Sequence, residues 1–516
     1  MAVNLFIGTN WGTASNWSLG SIPAASDGHV ATFGSTSSNC TLGAARACDS
    51  IDFTNYTNTI AMSTFAITAS GNITLGAGMG QSGTGGIVSS FTVNTVTITS
   101  NGKTWPTTFT IAGASGTASI SGTWSNTGLV TTGGSVGTKW ITGSPIVCSA
   151  AYTHGTTTTH IVDGTAKIIL AGAGVWTCTG VLRLPVELRS TGTYTNNGTM
   201  NYNTGTLTLT SGTFSAGVLN NLVSAASTTW DTDRGSGASM SFYRMALIGT
   251  HTLTTNLNVV DRITINGTGQ FDGAGKINNN WTIPNFYLTP GAVATWTLTN
   301  DFICTNFYPN QATSALTLNG YNLYVSGNVS PIGTGALSGT TNIIYNGSGT
   351  WNATGAGVIK NNVTINTAGT LNLGNFNFNT GTFTYTAGTI NSTGTFSMIL
   401  DTILDTNDIL LANVSIGATS QISLLSGFRM NGLLSTTGIT ATTVTTHMKL
   451  KSSSPGTQRT VVLCPACITS RQDILYLDAT DIDSSLGETI WTFRGVLSNA
   501  TNWRVLSTPT TISSIF

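Results

Sequence analysis

Short stretches of strict alternation run along the whole chain. In Thr206–Thr210 (T-L-T-L-T) and Thr382–Thr386 (T-F-T-Y-T) every second residue is threonine. A period of two puts Leu207 and Leu209, or Phe383 and Tyr385, on one face of a strand and threonine on the other. The same alternation, punctuated by Gly and Asn, recurs at 65–78 (FAITASGNITLGAG), 321–335 (YNLYVSGNVSPIGTG) and 361–374 (NNVTINTAGTLNLG). Gly and Asn tolerate left-handed backbone and so read as turns between strands. No segment carries the apolar spacing of an amphipathic helix. The pattern predicts an almost entirely β chain.

The pattern also repeats at longer range. NYNTGTLTLTSGTF (201–214) returns as NFNTGTFTYTAGTI (377–390). KIILAGAGVWTCTG (167–180) aligns with NIIYNGSGTWNATG (342–355), which places Trp176 against Trp351. Residues 186–213 align with 363–389, so about fifty residues recur after roughly 176. A multi-strand unit repeated in this way predicts a solenoid, with coils stacked ~4.8 Å apart and each strand paired on both sides. An array of sandwiches would need hairpins and linkers, and eleven prolines in 516 residues supply few breaks. The expected fold is an all-β parallel β-helix or solenoid rod with a more charged C-terminal β module. Its expected divisions are N-terminal capping or docking coils at 1–60, a repetitive body at 61–446 and a closing module at 447–516. The last boundary follows a shift in composition: from His447 onward lie eleven of the thirty-six charged residues.

Composition narrows the functional classes. Charged residues make up 7% of the chain, against roughly 25% in an average soluble protein. Eighteen basic and eighteen acidic residues cancel, leaving no net field to attract nucleic acid or an anionic membrane. The 40% apolar content and twelve tryptophans separate the chain from disordered sequences. No stretch approaches the ~20 apolar residues of a membrane-spanning helix. MAVNLFIGTNWG has neither a basic n-region nor an apolar core, so a protein working outside a cell is expected to leave by lysis or by a route this sequence does not display. The seven cysteines form no regular framework, unlike a disulfide-dense secreted scaffold.

Two terminal patterns carry a resemblance. NWGTASNWSLGSIPAASDGHVATF, followed by Cys48–Phe53 (C-D-S-I-D-F) and ITASGNITLGAGM, resembles the opening coils of phage-encoded and bacterial-surface proteins with autotransporter-like β-helix repeats. KLKSSSPGTQRTVVL, YLDATDIDSS and NWRV resemble the closing module of such proteins from environmental phages. The resemblance implies a virion surface component: tail fibre or spike, head fibre, or capsid decoration. It implies other virion proteins and host surface polysaccharide as partners, and assembly in the host cytoplasm with release by lysis; neither nucleic acid nor a membrane is an expected partner of so uncharged a chain. Fibres and spikes commonly assemble as homotrimers. It implies no catalytic residue.

Candidate chemistry is sparse. Gly133–Gly137 (GGSVG) matches a nucleophile elbow, but no helix pattern follows it. Cys464 and Cys467 have the spacing of a redox pair or half a zinc site, again without a helix or two further ligands. Asp478, Asp481, Asp483 and Glu488 form the densest acidic cluster and carry the hard oxygens that calcium takes; no other cofactor is expected. Asp401, Asp405 and Asp408 read as corner residues, although carboxylates on neighbouring coils reach the ~5–9.5 Å separation of glycosidases. Trp176 and Trp351 recur in register and read as core, whereas Trp230, in the irregular stretch 227–244, is the candidate glycan contact. The leading expectation is a non-enzymatic structural protein at the virion surface. A polysaccharide depolymerase tailspike and an extracellular bacterial glycan-binding adhesin are the alternatives.

Overall fold

The computed structural model describes residues 2–506 except 93, 134–136, 156–159, 179, 198–199, 203–204, 217–220, 225–227, 232–238, 254–257, 273–282, 289–293, 299–300, 312–315, 334, 354–356, 399, 418–420, 438–446 and 464–471. Over 215–283 it describes backbone alone. The expected all-β solenoid is found. Short strands pair in parallel coil upon coil, and the helical content among the described residues is one 3-10 turn at Ala14–Asn16. The chain forms two compact units, Met1–Val260 and Asp261–Phe516.

Three ladders run through the middle of the first unit. Thr95–Thr99, Gly116–Ser121, Gly137–Gly143 and His160–Gly164 form one. Trp124–Asn126, Ile146–Cys148 and Ile168–Leu170 form the second. Phe109–Ile111, Val130–Thr132, Tyr152–His154 and Gly174–Cys178 form the third. Period-two alternation then sorts the side chains. Phe109, Val130, Tyr152 and Trp176 stand one above another in the core, and Phe109 stacks on Trp124 with ring centroids 4.0 Å apart. Between these inward positions, Thr110, Thr131, Thr153 and Thr177 make an outward column. β-branched threonine suits such a surface, since it packs against its neighbours along the ladder and still presents a hydroxyl to water.

The sequence repeat corresponds to a repeated structural device. Val186–Asn197 runs through a coil corner as one long strand, and Val363–Leu373 does the same in the second unit. Each pairs in parallel with the following long strand, Gly205–Ala216 or Thr382–Ser392, with register shifts at the corner. There the Ser190 hydroxyl donates to the Gly172 carbonyl and accepts from Gly192 N–H at 2.8 Å. Thr367 repeats both bonds, to the Gly347 carbonyl and from Gly369 N–H at 2.9 Å. The partner strands turn at Gly212 and Gly388, whose φ values of +90° and +116° favour glycine. Trp176 and Trp351 are both buried, as the register of the repeat predicts.

Asparagine has a specific task at the corners. Asn352 Oδ1 accepts from Asn375 N–H at 2.9 Å, and Asn375 Oδ1 accepts in turn from Thr395 N–H at 3.1 Å. Asn306 and Asn328 form a similar relay to the Asn328 and Thr350 amides. Each side chain accepts from a backbone N–H of the next coil. Asn375→Ala is therefore expected to cost about 1 kcal/mol. Amide hydrogen exchange should show faster exchange at Thr395 and unchanged rates in distant coils.

The first coils carry an aromatic plug. Phe6, Trp11, Trp17 and Phe33 pack together, with Trp11–Trp17 and Phe6–Trp17 centroids both 5.1 Å apart. Phe33 stacks on Phe53 of the C-D-S-I-D-F motif at 4.6 Å. An antiparallel bridge between Phe6 and Trp17 folds the chain back at this end. The returning segment bonds along the same edge, Ile7 N–H to the Asn16 carbonyl and Ser18 N–H to the Leu5 carbonyl, both at 2.8 Å.

Candidate ligand-contact face

The strand Gly137–Gly143 reverses the usual choice of inside and outside. Ile141 is buried, in register with Ala118 of the coil before. Strand alternation then turns Lys139 inward and Trp140 outward. A one-residue slip would bring Trp140 in only by expelling Ile141, so the register is held and the lysine goes inside. Lys139 is fully buried, whereas Trp140 is 47% exposed. Trp11, Trp17, Trp105, Trp124, Trp176, Trp296 and Trp351 are all buried.

Beneath the strand lies a polar cluster. Lys139 Nζ is 3.2 Å from His160 Nε2, and the ammonium donates to that nitrogen. His154 and His160 meet edge to face with centroids 5.7 Å apart. Thr132 Oγ1 links His154 Nδ1 at 3.2 Å and the Tyr152 hydroxyl at 2.9 Å. All five residues are buried. Burial lowers Lys139 to about 8. Burial, together with the neighbouring His160 and Lys139, lowers His154 to about 3, so it is neutral at ordinary pH.

Outside, Trp140 belongs to a column that crosses several coils. Thr95 is in register with Thr117, Thr117 with Trp140, and Trp140 with Asp163. Asp163 Oδ2 pairs with Arg183 Nη1 at 3.3 Å. On the adjoining ladder, where Glu187 is in register with Ile169, Glu187 accepts from Lys167 at 3.0 Å, Arg189 at 2.9 Å and Thr210 at 2.9 Å. Burial pushes the Glu187 carboxyl up, but donation from Arg189, Lys167 and Thr210 outweighs it and holds the group at about 2. The column therefore combines an exposed indole, a row of hydroxyls and the Asp163–Arg183 ion pair, with the Glu187 pairs on the ladder beside it. Such a set stacks on apolar ring faces and hydrogen-bonds polar substituents.

The residues singled out from sequence are placed as follows. Trp230 lies in the strand Thr228–Asp231, its backbone in register with Leu207 and Leu253; its side chain lies outside the described residues. Asp478 accepts from Val496 N–H at 2.7 Å and lies 2.6 Å from His447 Nδ1. Asp481 accepts from Asn499 at 2.6 Å and Gly456 N–H at 2.8 Å, which hold its carboxyl below the usual range. Asp483 accepts from Ser485 N–H at 2.9 Å, and Glu488 follows the same turn. Each of these three aspartates is tied to its own partners, and no group of three metal-binding side chains converges among the described residues. Asp401 and Asp405 do sit at corners, accepting from Gln421 N–H and the Ser426 hydroxyl, both at 2.8 Å. Cys40, Cys48, Cys148 and Cys304 are buried free thiols, and burial raises Cys40 and Cys48 to about 12. Ser135, Cys464 and Cys467 lie outside the described residues. Sequence reasoning passed over the Lys139–His154–His160 cluster. Its signal was the lone lysine in T-K-W-I and two of the chain's five histidines six positions apart.

Comparison with protein-family models, curated proteins and solved structures finds no match to this chain.

Proposed function

We propose that the chain is a non-enzymatic structural protein on the outside of a phage particle, with solenoid faces that meet host surface glycans. The observation that carries the reading is a parallel coil stack clothed in threonine, serine and asparagine, with Trp140 standing out from it. A neutral hydroxylated exterior resists non-specific ionic adhesion yet offers many weak hydrogen-bonding sites. The resemblance of both termini to phage β-helix proteins supports the same reading and adds the virion setting.

Quantitative mass spectrometry of purified phage particles, scaled to the major capsid protein, tests this. The expected result is a stoichiometric component. Copies on the order of hundreds per particle would mean decoration, and a few to a few dozen a fibre or spike. Absence from particles overturns the virion assignment and leaves the cell-surface adhesin.

A further inference from the structure

We propose that the Trp140 column is a binding subsite for an acidic polysaccharide, with a sugar ring stacked on Trp140 and sugar carboxylates drawn to Arg183 in the column and to Lys167 and Arg189 on the adjoining ladder. The proposal rests on the glycan-contacting reading above and adds the class of glycan and its place.

Three independent features point there. The first is the indole itself. An exposed tryptophan with Thr95, Thr117 and Thr142 on the coils before and beside it offers a flat apolar platform edged by hydroxyls. This matches a pyranose, which has one apolar ring face and a polar rim.

The second is the charge. No charged residue occurs between Lys103 and Lys139, nor between Arg189 and Asp231. In a chain this poor in charge, the six from Lys139 to Arg189 stand apart: four cations and two carboxylates. Their exposure is unequal. The side chains of Lys167, Arg183 and Arg189 are 44%, 37% and 53% exposed, whereas those of Asp163 and Glu187 are 20% and 9% exposed. Asp163 shares the outward column with Trp140 and Glu187 lies on the adjoining ladder, and in each ion pair the cation is the more exposed partner. Arginine and lysine oriented in this way favour a carboxylate-bearing ligand over a neutral one.

The third is the spacing. Coils repeat every ~4.8 Å, close to the length of one sugar residue in an extended chain. A polysaccharide laid along Thr117, Trp140, Asp163 and Arg183 meets a new coil at each sugar. The stacked sugar and the first arginine then lie two coils, roughly 10 Å, apart.

The test uses the full chain in affinity electrophoresis and titration calorimetry, with polygalacturonate, alginate and hyaluronate as acidic polymers and dextran as the neutral one. The wild type should bind at least one acidic polymer, bind dextran far more weakly, and lose affinity as salt rises. Trp140→Ala should weaken binding about tenfold or more, and Trp140→Phe should restore part of it. Arg183→Gln with Arg189→Gln should weaken acidic binding several-fold. Circular dichroism and the thermal midpoint serve as folding controls, because the Trp140 side chain leaves the core intact. Undiminished binding by Trp140→Ala overturns the subsite while the glycan reading survives. Equal, Trp140-dependent binding of dextran overturns the acidic preference alone. Failure of the wild type to bind any of the polymers overturns both the subsite and the glycan-contacting reading.

Discussion

Phe376→Ala is expected to destabilise the second unit by about 3–5 kcal/mol, the range for removing a large aromatic from a packed core. Phe376 is fully buried and sits at the centre of an aromatic cluster. Its ring lies 4.8 Å from Trp351, 5.1 Å from Phe396, 5.6 Å from Phe378 and 5.8 Å from Phe383, centroid to centroid. These partners come from its own coil and from coils on either side. In a stack, each coil is stabilised mainly through its two neighbours, so one cavity weakens two interfaces at once. The backbone cannot collapse into the space, because the ladder Phe376↔Phe396 and the strands beside it fix the spacing. Denaturant unfolding followed by tryptophan fluorescence should show the loss, with Trp351 reporting from beside the cavity. Thr384→Ala, at an outward position in the same region, should change stability by less than about 0.5 kcal/mol. Similar effects from the two substitutions would mean that the aromatic cluster does not hold these coils together.

Stability of the first unit should rise with pH across an unusually wide span, with two limbs of separate origin. His154 ordinarily titrates near 6.5 and is lowered to about 3 in the fold. The unfolded chain therefore takes up a proton first as the pH falls. The stability associated with neutral His154 is complete above about 6.5 and is lost between about 6.5 and 3, amounting to at most about 4–5 kcal/mol. Glu187 adds its own loss only below its ordinary value of 4.5, as pH falls toward about 2. The interval from about 6.5 to 4.5 thus reports mainly on His154. Lys139 makes the alkaline limb. Its ammonium is disfavoured by burial, so between about 8 and 10.5 the unfolded chain holds the proton more tightly. Stability rises across that window by at most about 3 kcal/mol. The groups facing one another here are Lys139, His154, His160, Thr132 and Tyr152. Lys139→Met should abolish the alkaline rise and stabilise the unit at neutral pH by about 1–3 kcal/mol, since an apolar side chain replaces a buried charge. His154→Leu should flatten the limb between about 6.5 and 4.5. Unfolding curves collected from pH 4 to 10.5 check both variants, and a wild-type profile that is level across both windows would contradict the burial of the cluster.

Much of the architecture was legible in sequence because it is local. Alternation in T-L-T-L-T and T-F-T-Y-T depends on strand geometry alone, and it foretold the buried Leu207, Leu209 and Phe383. The repeat pairing Trp176 with Trp351 foretold two core indoles, whereas the corner device shared by S-T-G at 190–192 and T-A-G at 367–369 came to light only in the structure. Asparagine read as a turn residue, but its bonds to the next coil were not visible. They depend on which residues stand one coil apart, and coil length varies along the chain.

The sequence by itself determined that the chain is β, coiled and nearly uncharged on its surface, since strand period, turn residues and composition act within a few neighbours. Only the tertiary structure decided the phase of each strand, meaning which of two alternating faces points inward. In Gly137–Gly143 the coil below and the coil above set that phase through Ala118 and Val162. Their demand for Ile141 and its neighbours on the inside outweighs the preference of a single lysine for water and of a single tryptophan for the core. That competition, settled between coils rather than within a strand, buried Lys139 beside two histidines and left Trp140 on the outside.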